Sequence, residues 1–198
     1  MRISRNPRRA FSLVELLIVI SIMGVLLGVA TTYLSTDVPA QLEMAAHSVA
    51  GDCEYVRGLA VANNSTYRLK FNVSKNNYYY EHTGAVAALD NLPPSPFHKF
   101  DTGKKGITDT TQANAELGDL PMVAGGVKLA AVQKNPASPS HANDLEFNPY
   151  GATTRPEATI IWLVSSAAGT EMYIPITVNS TTGIVSVGDV QQATPDGL

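Results

Sequence analysis

Glu15 is the only charged residue between Phe11 and Leu34, near the head of that apolar run, in the stretch RAFSLVELLIVI. A carboxylate placed in hydrocarbon costs on the order of 3 kcal/mol. Such a residue therefore marks a partner, a function or a local structural duty. The structural duty is easily named: Ser12 and Glu15 spell an S-x-x-E capping box, and an acid in a first helical turn answers the helix dipole.

No other stretch offers comparable chemistry. The chain contains no G-x-S-x-G, H-E-x-x-H or C-x-x-C, and His47, His82, His98 and His141 are scattered without metal-ligand spacing. GKKGIT lacks the upstream glycine of a phosphate-binding loop. Asp101, Asp109 and Asp119 lie in one polar region but form no alternating D-x-D run, so they read as solvated acids rather than calcium ligands. Cys53 is the single cysteine, which excludes an intrachain disulfide. Catalysis, a metal centre and a bound cofactor are therefore not expected.

The charge distribution separates the N-terminus from the body. Arg2, Arg5, Arg8 and Arg9 precede the apolar run with no acid among them, whereas the remainder carries 10 bases against 17 acids. An acidic body is unsuited to general nucleic-acid binding, which releases phosphate counterions through Lys and Arg. The run from Phe11 to Leu34 would cover roughly 36 Å as a helix, enough for one membrane span. By the positive-inside rule the N-terminus lies in the cytoplasm and everything after the span lies outside it. A secretory signal peptide ending at Gly28-Val29-Ala30 is the alternative, but the run exceeds an ordinary signal core of ~7–15 residues and contains an acid. Gly24 and Gly28 form a G-x-x-x-G step, which admits close approach of another helix and equally reflects the frequency of glycine in spans.

Beyond the span Leu42, Ala45, Val49, Cys53, Val56 and Ala60 recur at three- and four-residue steps, with Glu43, His47, Asp52, Glu54 and Arg57 at other positions. This pattern predicts an amphipathic helix over residues 38–63, continuing residues 11–37 as one long helix bent or restarted at Pro39. Cys53 falls on its apolar stripe and reads as a small buried hydrophobe. Alternation then predicts a strand from Tyr67 to Val73, a turn at Ser74–Asn77 and a return through Tyr78–Tyr80. Further strands are expected at 127–132, 145–147, 159–164, 172–178 and 184–187, with Pro175 suited to an edge or a bulge. Residues 85–121, with PPSP and GKKG, and residues 134–141 read as surface excursions. The fold class is α+β: a long N-terminal helix packed on an antiparallel β-sheet or sandwich head spanning 64–198.

Ala10-Phe11-Ser12-Leu13-Val14-Glu15 after a basic leader resembles the signal of type IV pilins and their relatives. In that signal a small residue precedes Phe, and Glu is the fifth residue after the cut; Ala10 stands where the family usually has Gly. The helix end Glu54-Tyr55-Val56-Arg57-Gly58-Leu59-Ala60, the strand Tyr67–Phe71, the F-x-P-x-G turn Phe147–Gly151 and the closing pair around Ile176–Val178 and Ile184–Val185 look like the H-type pseudopilins of type II secretion and related minor pilins. The resemblance implies a leader of residues 1–10 removed between Ala10 and Phe11 by a prepilin peptidase, and N-methylation of Phe11. It also implies a role for Glu15 in filament assembly. The implied partners are other pseudopilins, met through the N-terminal helix, and an inner-membrane secretion platform. The function implied is a structural subunit of a short filament for protein export; a minor type IV pilin for pilus assembly or DNA uptake is the alternative. A signal-anchored periplasmic enzyme would need a polar site that the sequence does not reveal.

Overall fold

A computed structural model describes residues 12–33, 38–93, 112–117, 126–135, 140–167 and 170–198. The chain divides into two compact units, Met1–Asp37 and Val38–Leu198. In the first, helix α1 runs Leu13–Tyr33. In the second, helix α2 (Val38–Ala62) is followed, among the described residues, by nine strands and a 3-10 turn at Ala87–Leu89. The expected join between the helices, residues 34–37, lies outside the described residues. Pro39 sits in the first turn of α2, where its missing N–H has no helical partner to lose.

The strands form two antiparallel sheets. The first has the order β3 (Gln112–Glu116), β2 (Asn77–His82), β1 (Tyr67–Asn72) and β6 (Asp144–Phe147). The second has the order β5 (Ser140–His141), β4 (Val127–Lys134), β7 (Thr159–Ala167), β8 (Thr170–Val178) and β9 (Val185–Val187). Helix α2 packs against strands of both sheets, which makes the head an α+β fold.

The packing follows the periodicities. Leu42, Ala45, Val49, Cys53, Val56 and Ala60 are all buried, together with Ala46. On β1, Tyr67, Leu69 and Phe71 are buried while Arg68, Lys70 and Asn72 are only partly so. Asp52, which lies off the apolar stripe in the sequence, is nonetheless 1% exposed. The buried Tyr78 hydroxyl donates to its Oδ2 at 2.5 Å, so the charge enters the core with a hydrogen-bond donor in place.

Three boundaries move for local reasons. Val73 belongs to the hairpin turn rather than to β1, because Asn72 Oδ1 accepts from Ser74 Oγ and Lys75 N, and Asn76 takes a left-handed φ of 54°. The Asn76 side chain then reaches the other sheet, accepting from Leu129 N and donating to the Val127 carbonyl. Within the expected excursion at 85–121, β3 extends the first sheet, pairing Ala115 with Tyr78 and Ala113 with Tyr80. Pro175 lies in an internal strand: β8 pairs with β9 up to Ile176↔Val187 and bridges again at Tyr173↔Gln191. The proline occupies the irregular gap between, its carbonyl accepting from Gly188 N.

Candidate functional site

Helix α1 begins at Ser12. Its Oγ accepts from Val14 N at 3.3 Å and its carbonyl accepts from Leu16 N at 3.1 Å, which makes it the N-cap. Glu15 stands in the first turn and is exposed. Among the described residues its carboxylate has no hydrogen-bond or ion-pair partner, so the reciprocal half of the capping box is not made. Ser21 returns its hydroxyl to the Leu17 carbonyl at 2.8 Å, hiding a polar group inside the helix. Ala10 and Phe11 lie outside the described residues.

From Leu13 to Leu26 the surface of α1 is apolar around its circumference apart from Glu15 and Ser21. The large residues from Leu13 to Leu26 are all exposed, from 46% at Val19 to 80% at Leu13. Because Leu16 to Ile20 are consecutive, their side chains point around the whole circumference. Burying one such side chain is worth about 1.5–3 kcal/mol, so leaving this surface in water is unfavourable. Among the described residues no helix is long and apolar enough to cross a membrane. Gly24 has open space where a side chain would point, whereas the side-chain position of Gly28 lies outside the described set.

In the head, the end of α2 gathers the segments that close the fold. Glu54 accepts from Val185 N at 3.0 Å through Oε1 and from Arg57 Nη1 at 2.9 Å through Oε2. Arg57 Nε donates to the Gly151 carbonyl at 3.1 Å. Gly151 (φ 80°) ends the F-x-P-x-G turn, in which Asn148 Oδ1 accepts from Tyr150 N and Ala152 N. Gly183 (φ 66°) lies so close that a side chain there would meet the Gly151 carbonyl oxygen at 1.8 Å. The helix thus fixes both the turn and the β8–β9 hairpin.

Cys53 is buried, and desolvation with help from the neighbouring Asp52 and Glu54 charges pushes its thiol far up from the ordinary range, which keeps it unreactive. Among the described residues no group of three or more His, Cys, Asp or Glu is placed to hold a metal ion. Asp101, Asp109, Asp119 and His98 lie outside the described residues. His82, which sequence spacing left isolated, is joined to Ser65 and Asp90. No sequence signal connects these three.

Residues 5–31 match the family model described as the prokaryotic N-terminal methylation motif. The chain carries the N-terminal methylation signal of a type IV pilin-like protein. That pilin-like signal covers Ala10, Phe11 and Glu15 together with the described start of α1. No curated protein matches the chain. Among solved structures, it is similar to the type IV minor pilin FimU of Pseudomonas aeruginosa strain PAO1 in two crystal forms. In space group P65 the identity is 12%, with a TM-score of 0.42 over 77% of this chain and 98% of that one. In P21 the values are 11%, 0.41, 79% and 90%.

Proposed function

We propose that the chain is a minor pseudopilin, a structural subunit of a short type II secretion pseudopilus used for protein export. The observation that carries the reading is a methylation motif leading directly into a helix whose described side chains are exposed and mostly apolar, with one carboxylate that has no partner among the described residues. A prepilin peptidase cuts between Ala10 and Phe11 at the cytoplasmic face, and Phe11 becomes the N-methylated first residue. Residues 11–37 anchor the chain in the bacterial inner membrane as a single pass, and the head from about residue 38 faces the periplasm. Glu15 then meets the new amine of Phe11 on a neighbouring subunit, which offsets the cost of a carboxylate near hydrocarbon. Other pseudopilins and the secretion platform are the partners, and the role is structural rather than enzymatic. The expected behaviour of a strain lacking the chain is loss of secreted-protein release with surface pili retained. Loss of pili or of DNA uptake with export intact would assign the chain to the minor type IV pilins instead, since the motif suits both.

A further inference from the structure

Beyond the C-terminus of α2, Ser65 Oγ lies 2.7 Å from His82 Nε2, and His82 Nδ1 lies 2.7 Å from Asp90 Oδ1. Three separate elements bring them together. Ser65 follows Asn64, whose left-handed φ of 47° ends the helix, and its own N–H bonds the Ala60 carbonyl at 3.0 Å. His82 closes β2, and Asp90 follows the 3-10 turn. An ionised carboxylate can only accept, so the His82 hydrogen sits on Nδ1, facing Asp90. Nε2 is left as an acceptor, to which the Ser65 hydroxyl donates. The imidazole is held in place by the Tyr67 ring at 4.9 Å and has no exposed side-chain surface, while Asp90 is 47% exposed. Any side chain at position 84 would stand 2.0 Å from Ser65 Oγ and 2.7 Å from His82 Nε2, so Gly84 is required for the pair to meet. Hydroxyl, base and orienting carboxylate are the parts of an activated nucleophile.

We propose that Ser65 accepts an acyl group from a small ester donor, once per chain. As Oγ bonds the acyl carbon, its proton passes to His82 Nε2. The ester C–O bond then breaks, and the leaving oxygen takes that proton from Nε2. His82 returns to neutral, Asp90 stays ionised throughout, and nothing is oxidised or reduced. Ser65 is 6% exposed, which restricts the donor to a small acyl group. The outcome is one acyl-serine per chain, and it is independent of the filament reading.

The test treats the folded full-length protein, in detergent, with p-nitrophenyl acetate, reading nitrophenolate release and locating the acetyl group by peptide mass. The expected result is a burst of about one equivalent with acetylation at Ser65, absent in Ser65→Ala. Asp90→Asn alters a half-exposed group, retains the far-ultraviolet circular dichroism of the parent, and slows acetylation by at least about a hundredfold. A folded parent chain without acetyl-Ser65 overturns the proposal. So does Asp90→Asn acetylating Ser65 at the parental rate.

Discussion

Arg57 Nε donates to the Gly151 carbonyl at 3.1 Å, and Gly183 lies against that same carbonyl oxygen. One peptide group is thus shared by the helix, the F-x-P-x-G turn and the closing hairpin. Gly183→Ala forces a side chain into the Gly151 carbonyl at a left-handed backbone position, so it destabilises the head by more than about 1 kcal/mol. Arg57→Ala loses one bond to the turn and costs about 0.5–1.5 kcal/mol. Urea unfolding of both variants checks the order; equal midpoints would contradict the clasp.

Alkaline pH should unfold the head. Burial raises the ionisation of Cys53, Tyr78 and Tyr80 above their ordinary values, in the two tyrosines with the help of the nearby Asp52 charge. Their folded forms keep protons that the unfolded chain releases, so stability is full below the unfolded pKa values and falls as pH rises through them. The decline begins near pH 8.5 for the thiol and near pH 10 for the phenols. Thermal melts from pH 7 to 11 should show it, and Cys53→Ala should flatten its first part. A melting temperature that rises across this range would contradict the buried placement.

The stripe of α2 covers the sheets, so removing it exposes an apolar face that aggregates. A chain beginning at Val38 should be monomeric and fold cooperatively, whereas one beginning at Asn64 should form aggregates by light scattering. Equal stability of the two would remove α2 from the core.

Alternation and helical periodicity made α2 and β1 legible, because each buries one face against a partner the sequence pattern anticipates. Gln112–Glu116 carries no such pattern; it becomes a strand because the β2 edge, with Tyr78 and Tyr80 facing the core, offers it backbone partners. The burial of Asp52 was not legible, because it stands off the apolar stripe and the tyrosine that makes its burial tolerable comes from a distant strand. Asn148 and Gly151 could be read as a turn motif, yet their attachment to Arg57 depends on tertiary placement. The N-terminal signal was legible as a motif; Ser12 is seen to cap α1, while Ala10 and Phe11 lie outside the described residues.

Processing is expected to leave a chain beginning at N-methylated Phe11. Intact mass and N-terminal sequencing of protein recovered from membranes check this. A chain beginning at Thr31 would show that a secretory signal peptidase had removed the apolar run.

On the proposed reading Glu15 serves assembly rather than helix capping: Ser12 already caps α1, and the carboxylate has no partner among the described residues. The most direct measurement is crosslinking of the subunit to its filament partners in Glu15→Ala and Glu15→Asp, with membrane insertion and leader cleavage followed by mass in the same cells. The expected result is that Glu15→Ala inserts and is cleaved as the parent is but loses most crosslinked product, with Glu15→Asp losing less. Crosslinking of Glu15→Ala at the parental level would contradict it.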